Sequence, residues 1–471
     1  MAQYESPSIE ATLANTRLQT TLYTSTARSM AKRRHGVELS VLPDYQDLRS
    51  LAHQIKRHTL ENLDYYLEMA ERQVVARGGK VFWARDAEEA AAYVLDLARQ
   101  RGARRMVKSK SMTTEEIHFN ERLIPEGLDI VETDLGEYIV QLAEQRPYHI
   151  VGPALHMNRQ DVAELFERKL GIPHEEEPEK LTKIARKLLR EKFLAADIGV
   201  SGANFVVAET GAIVLVENEG NARLTTSAPK IHVAVAGIEK LLPRMADLGV
   251  FLDLLGRSAT GQALSVYTSI LAGARRPGDL DGPEEFHLIL LDNGRTRLLA
   301  DREKRESLFC IRCGACLNYC PVFRKIGGHN YPGAYSGPIG SILTPQYQGI
   351  AHSPWLPFAS SLCGCCAEVC PVKIDIPKIL LALRAEVTAD AEKESRNRWE
   401  RWGFRAWAWV MRHPKIYEMA GAVAAGMFPE KSEVLLRLGP IGAWNRTREL
   451  PRPVAPSFRS LWRTRREGGL Q

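Results

Sequence analysis

The chain has 471 residues, too many for one hydrophobic core, so roughly two to four domains are expected. Its 45% hydrophobic and 25% charged residues exclude a disordered or fibrous protein. A net charge of +6 is too slight to mark a nucleic-acid partner, and no apolar run reaches the roughly 18 residues of a membrane span. Residues 1–10 are polar and unlike a secretory leader, and Arg33-Arg34 is not followed by an apolar run.

Residues 1–75 read as a helical N-terminal arm: Leu48, Leu51, Ile55 and Leu63 recur at helical spacing. Arg28, Lys32, Arg33 and Arg34 read as a solvated face of it or as a docking arm, the solvated face being preferred. Residues 76–299 change to alternating short strands and helices. Strands are expected at 80–83, 105–108, 128–132, 149–151, 204–208, 213–216 and 230–236, with helices at 87–99, 161–170 and 181–195. Thr113-Thr-Glu-Glu116 fits a capping box that opens a further helix. Alternation of this kind predicts an α/β domain with a largely parallel sheet. Residues 286–291 and 296–299, joined through Asn293-Gly294, read as a hairpin closing it. Residues 273–283 read as a loop.

All eight cysteines lie in residues 300–385. The first run is Cys310-Ile-Arg-Cys313-Gly-Ala-Cys316-Leu-Asn-Tyr-Cys320-Pro321, which has the C-x2-C-x2-C-x3-C-P spacing of a bacterial [4Fe–4S] site. A cubane needs thiolates converging on one small volume, so the chain must turn back between ligands. Gly314 suits that turn, and Pro321 diverts the chain after the last ligand. The second run is Cys363-Gly-Cys365-Cys366-Ala-Glu-Val-Cys370-Pro371. In two-cluster ferredoxins the fourth cysteine of each run ligates the other cluster. That rule assigns Cys310, Cys313, Cys316 and Cys370 to cluster one, and Cys320, Cys363 and Cys366 to cluster two. Structural zinc also uses C-x2-C, but as two pairs and not as a triplet followed by C-P. Cysteines clustered in this way point to metal in a reducing cytoplasm rather than to disulfides.

The second run departs from the first. Its first ligand should fall at 360, which is Ser360, and Cys365 stands where a small non-ligand residue is usual. A [3Fe–4S] cluster, a [4Fe–4S] cluster with a non-cysteine or solvent ligand, and recruitment of Cys365 all remain open.

Residues 386–471 continue a helix that starts at 376 and runs to about 411, ending before Pro414. Six of the eight tryptophans fall here: Trp399, Trp402, Trp407, Trp409, Trp444 and Trp462. Trp402, Phe404, Trp407 and Trp409 with Arg401, Arg405 and Arg412 could pack internally, dock a partner or lie peripherally on an anionic membrane. Residues 451–471 hold five arginines, three prolines and one acid and read as extended or disordered at their end.

In the α/β region, Lys108-Ser-Lys-Ser-Met112, Glu132-Thr-Asp-Leu-Gly-Glu137, Ala208-Glu-Thr-Gly211 and Glu217-Asn-Glu-Gly-Asn-Ala-Arg223 resemble the lactate-utilisation (LUD) domain. With the cysteine runs after it, the chain from about 60 onward resembles the lactate utilisation protein B family. The resemblance implies a fold similar to glucosamine-6-phosphate deaminases and CoA transferases, followed by a ferredoxin-type domain and a helical tail. The long spacer between the runs suits an α-helical ferredoxin similar to that of succinate dehydrogenase, whose second centre has three irons. The resemblance further implies two [4Fe–4S] clusters and a cytoplasmic, non-catalytic electron-transfer role in oxidising L-lactate to pyruvate. Lactate utilisation proteins A and C are the implied companions. No flavin, nicotinamide or phosphate-loop fingerprint is visible. A second reading makes the α/β domain an isomerase- or transferase-like enzyme with structural or regulatory clusters. Lys108, Lys110, Glu209, Thr210 and Asn221 would then form its site, with Glu209 as nucleophile. His149, His156 and His232 read as core or surface histidines.

Overall fold

The computed structural model describes residues 6–38, 45–393, 398–427, 442, 445 and 456–467. Ten strands occur among them: β1 (Lys80–Ala84), β2 (Arg105–Lys108), β3 (Asp129–Glu132), β4 (Ile198–Gly202), β5 (Phe205–Val207), β6 (Ala212–Glu217), β7 (Ile231–Gly237), β8 (Leu241–Leu242), β9 (Tyr267–Leu271) and β10 (Glu285–Leu291). Six of them form a wholly parallel sheet in the order β1-β10-β7-β4-β2-β3. The central strands β4 and β7 are buried along their whole length. A parallel strand covered on both faces must be apolar on both, which is why β7 reads Ile-His-Val-Ala-Val-Ala-Gly without a polar alternation. The other four strands make a smaller mixed sheet, β8-β5-β6-β9, with β5–β6 and β6–β9 antiparallel.

Several sequence expectations change. The strands expected at 204–208 and 213–216 exist but belong to this second sheet. The segment 149–151 is an irregular turn, in which the His149 ring nitrogen accepts from the Val151 and Gly152 amides. The expected hairpin after 286 is absent: β10 pairs in parallel with β1 and β7, and Gly294 instead precedes the helix Arg295–Ala300. At the capping box, the cap is Ser111, whose hydroxyl accepts from the Thr114 amide, so the helix Met112–Glu116 starts before Thr113. The strand β4 carries two glycines that weaken its sequence signal. Both are required by close approach: a Cβ on Gly199 would lie 1.8 Å from the Thr225 carbonyl oxygen, and one on Gly202 would lie 2.5 Å from Ser111 Oγ.

Past β10 every regular element among the described residues is helical, including Ala315–Tyr319, Gly337–Gln348, Cys365–Glu368 and Ile376–Lys393. The N-terminal helices Thr16–Glu38 and Tyr45–Glu61 pack on this region. Arg33 is buried, contrary to the solvated face expected of it. Its guanidinium donates to the Val369 carbonyl at 3.0 Å and sits 5.5 Å from the Tyr319 ring centre. Arg49 donates to the Cys370 and Ala367 carbonyls at 2.9 and 3.2 Å.

The chain divides into two compact units, Met1–Val387 and Thr388–Gln471. The second contains the helices Arg398–Arg412, Pro414–Met427 and Phe458–Glu467. The last of these falls within the segment 451–471, of which residues 468–471, the end expected to be extended or disordered, lie outside the described residues. Glu418 holds the helix through ion pairs with Arg459 and Arg463. Trp402, Phe404, Trp407 and Trp409 are exposed on their helix, whereas Trp444 lies outside the described residues. No helix among the described residues is long and apolar enough to cross a membrane.

Candidate metal centre

The first cysteine loop is shaped by two left-handed residues, Arg312 (φ 62°) and Gly314 (φ 73°), on either side of Cys313. Arg312 bends the chain so that its own amide donates to Cys310 Sγ at 3.4 Å. Gly314 then starts the short helix that presents Cys316. A Cβ at Gly314 would meet Val151 and His149 at 3.0 and 3.1 Å, so the turn is tight as well as left-handed. The second loop follows the same path, with Leu362 at φ 56° and Gly364 at φ 85°. Cys320 and Cys370 accept from the Phe323 and Ile374 amides, each at 3.4 Å.

Cys310, Cys313, Cys316 and Cys370 line one small cavity whose other walls are mostly apolar, among them Ile150, Ile311, Ile339, Val372, Ile374 and Ile376. Burial pushes the Cys313 thiol up to about 12, and nearby Cys370 and Cys310 add to the rise. Cys370 rises to about 11 through burial, against hydrogen bonds from the Ile374 and Val372 amides. Cys316 is also raised by burial and then by Cys313, Cys310 and Cys370. Thiols raised in this way at Cys313, Cys316 and Cys370 suit a site completed by a cation, because metal binding displaces their protons. On the other side, burial raises Cys320, and Cys363 and Cys365 raise it further. Burial pushes Cys366 up to about 12, with Cys320 adding to it. Cys363 is exposed and its thiol is lowered by a hydrogen bond from the Cys365 amide. The cysteines thus sort into two neighbourhoods, with Cys370 beside the first run and Cys320 beside the second. The second neighbourhood opens to solvent.

Arg312 joins the metal centre to the α/β domain. It is buried, lies 4.5 Å over the Tyr335 ring and donates to Glu239 at 3.3 Å. Burial alone would raise the Glu239 carboxyl, but Arg295, Arg312 and Lys240 hold it at about 2. Burial, followed by the Arg312 charge, lowers Lys240 to about 8. Arg312 and Lys240 also line a cavity of about 260 Å³ at the carboxyl ends of the parallel strands, where open sheets place ligands. Ser109, Lys110 and Ser111 reach it after β2, Asp134 after β3 and Ala203 after β4. Lys110 and Asn221, both foreseen from the sequence, are there, and Glu219, raised to about 6 by burial and by Asp134, is another wall. Lys240 and Arg312 were not foreseen. The available signals were the place of Lys240 just beyond a predicted strand and of Arg312 between Cys310 and Cys313.

Three of the foreseen polar residues lie elsewhere. Lys108 is wholly buried and pairs with Glu132 at 2.8 Å and Glu115 at 3.0 Å, with Glu137 at 3.9 Å. The ammonium fills the space among these carboxylates, which otherwise have the spacing of a metal site. Glu209 is exposed and accepts from the Met245 amide at 2.8 Å, capping the helix Met245–Ala259. Thr210 Oγ1 accepts from the Ala212 amide within a turn. His149 and His232 are core histidines, lowered to about 3 by burial.

Three family models match successive stretches: the LUD domain over residues 67–291, a 4Fe-4S dicluster domain over 306–374, and the C-terminal region of lactate utilisation protein B over 383–467. Fold and cysteine runs together define an iron–sulfur protein built on a LUD domain. The chain is 44% identical over 448 residues to lactate utilization protein B of Bacillus licheniformis, covering 94% of this chain and 93% of that one. It is 45% identical over 441 residues to the protein of the same name from Geobacillus thermodenitrificans, covering 93% and 92%. The chain belongs to the lactate utilisation protein B family. A solved DUF162 family protein from Deinococcus radiodurans aligns with 49% of this chain and 98% of its own at 12% identity, with a TM-score of 0.28, too low to define the fold.

Proposed function

We propose that this chain is the iron–sulfur electron-transfer component of a cytoplasmic system that oxidises L-lactate to pyruvate, working with lactate utilisation proteins A and C. Cys310, Cys313, Cys316 and Cys370 hold one [4Fe–4S] cluster, and Cys320, Cys363 and Cys366 hold the second. The observation that carries this reading is the crossing of the two runs: Cys370 lines the cavity of Cys310, Cys313 and Cys316 from 54 residues beyond Cys316. Crossed ligands join the two runs, so the two sets stay close. When bound, such clusters supply one-electron redox chemistry, and two of them match the two electrons released per lactate. Around them the protein's own part is to bind and shield. Ile150, Ile311 and Val372 keep the first set dry, and amides of Arg312, Phe323 and Ile374 point at ligand sulfurs.

The isomerase- or transferase-like reading has less support. Its proposed nucleophile, Glu209, is occupied in capping a helix and does not line the 260 Å³ cavity. The two readings separate in one experiment. Lactate added to this chain together with both companions is expected to reduce the clusters, read as an electron paramagnetic resonance signal, and Glu209→Gln is expected to leave that signal unchanged. Cluster reduction by lactate in the isolated chain would contradict the proposed division of labour. Loss of lactate-dependent reduction in Glu209→Gln, with the clusters intact, would favour the enzyme reading.

A further inference from the structure

We infer that Ser360 supplies the fourth protein ligand of the second cluster, through its side-chain oxygen. The inference rests on the two-cluster reading above and fills the position that the cysteines leave open.

The register places Ser360 where Cys310 stands in the first run: Ser360-x-x-Cys363-x-x-Cys366 aligns with Cys310-x-x-Cys313-x-x-Cys316. The backbone repeats with the register. Leu362 and Arg312, two residues on, are both left-handed at 56° and 62°. Neither is a residue type that favours that region, so the same uncommon bend has been kept in both loops. Gly364 and Gly314 follow at φ 85°, ψ −16° and φ 73°, ψ −1°, each capping a short helix that begins at the next residue. The hydrogen bond repeats as well. The Arg312 amide donates to Cys310 Sγ at 3.4 Å, and the Leu362 amide donates to Ser360 Oγ at 3.1 Å. The Ser360 oxygen therefore takes the place of the Cys310 sulfur relative to its own loop. An amide that donates to Oγ also favours the deprotonated oxygen, as amides favour thiolates at the other ligands.

Ser360 is held there from behind. Arg384 donates to the Ser360 carbonyl at 3.0 Å and to the Pro357 carbonyl at 2.8 Å, and its guanidinium lies 5.2 Å from the Phe358 ring centre. Cys365 and Ser361 are the competing donors, since both side chains hydrogen-bond to Cys363. Cys365 corresponds in register to Ala315, the first residue of the short helix after the glycine, and Ala315 is a buried packing residue. Ligation by Ser360 balances without electron transfer: the Fe–O(Ser) bond forms, the iron–solvent bond breaks, and the serine proton leaves with solvent on the side where Ser361 and Cys363 are exposed.

The test uses the full chain, purified anaerobically as wild type, Ser360→Ala, Ser360→Cys and Cys365→Ala, with iron per chain and the paramagnetic spectrum of the oxidised protein measured for each. Wild type and Cys365→Ala are expected to hold two four-iron clusters and to be silent when oxidised. Ser360→Ala is expected to lose a single iron per chain and to show a three-iron signal. Ser360→Cys is expected to keep the full iron, with a changed spectrum of the reduced second cluster, because thiolate replaces a harder oxygen donor. A three-iron signal in wild type would overturn the inference, as would full iron in Ser360→Ala. Loss of iron in Cys365→Ala alone would overturn it in favour of Cys365. Absence of iron from wild type would instead overturn the two-cluster reading on which the inference rests.

Discussion

Lys108 shows how a residue picked out as a binding candidate can serve the fold. Its ammonium has no exposure and faces Glu115, Glu132 and Glu137. Burial works against its charge, but the three carboxylates outweigh that and raise its pKa. Removing one partner of a buried ionic group costs about 3–5 kcal/mol, because the others remain desolvated and unpaired. Lys108→Met should therefore lower the chemical-denaturation stability by about that amount while the 260 Å³ cavity keeps its lining. A loss under about 1 kcal/mol would show that the carboxylates take up protons at little cost. His232 gives a pH prediction. It bonds to Ser201 Oγ at 2.8 Å in β4. Burial, with His287 nearby, lowers it from 6.5 to about 3. A base with a lowered folded pKa contributes stability above its unfolded value, and that stability is lost as pH falls through the folded one. Stability should decline as the pH drops from about 6.5 towards 3, at up to about 1.4 kcal/mol per unit, and His232→Gln should flatten that decline. An unchanged pH profile in the variant would assign the acid loss to other groups. The polar candidates were legible as residue types but not as roles. Periodicity does not distinguish a lysine facing a cavity, such as Lys110, from one closed in by three glutamates.

Among the elements, the two cysteine loops carry the most information, and the proposed ligands follow from their spacing. Spacing alone is a local constraint, and it is expressed locally as two bends of the same handedness. The loops also allow a comparison within one molecule. Gly314→Ala meets both a left-handed backbone and side chains at 3.0–3.1 Å, whereas Gly364→Ala meets the left-handed backbone in open space. The backbone term costs about 1–2 kcal/mol at each position. Gly314→Ala should therefore lose more iron on purification than Gly364→Ala, and equal losses would mean that the packing of His149 and Val151 does not matter to the first site. The failures among elements have physical causes. Asn293-Gly294 has the composition of a hairpin turn, but β10 is covered on both sides by parallel partners, so no returning strand can pair with it. Strand β4 was missed because the glycines that let Thr225 and Ser111 approach it remove the side chains that would signal a strand.

At the scale of the molecule, the N-terminal helices are part of the support of the candidate metal centre. Arg33, Arg49 and His53 reach the carbonyls of Val369, Cys370 and Val372, so the helices hold the segment that carries Cys370, the proposed crossing ligand. None of this is visible in sequence, since the partners lie more than 300 residues away. Arg49→Ala should leave the α/β domain folded by circular dichroism but reduce the iron bound per chain, and unchanged iron would show that the segment holds its own shape. The central claim is that the crossed cysteine sets hold two iron–sulfur clusters. Anaerobic purification followed by iron, sulfide and zinc analysis, with electron paramagnetic resonance of the reduced chain, tests it most directly. Two clusters per chain with spectra broadened by mutual interaction are predicted. A colourless protein with zinc bound in stoichiometric amount, or a single isolated cluster, would contradict it.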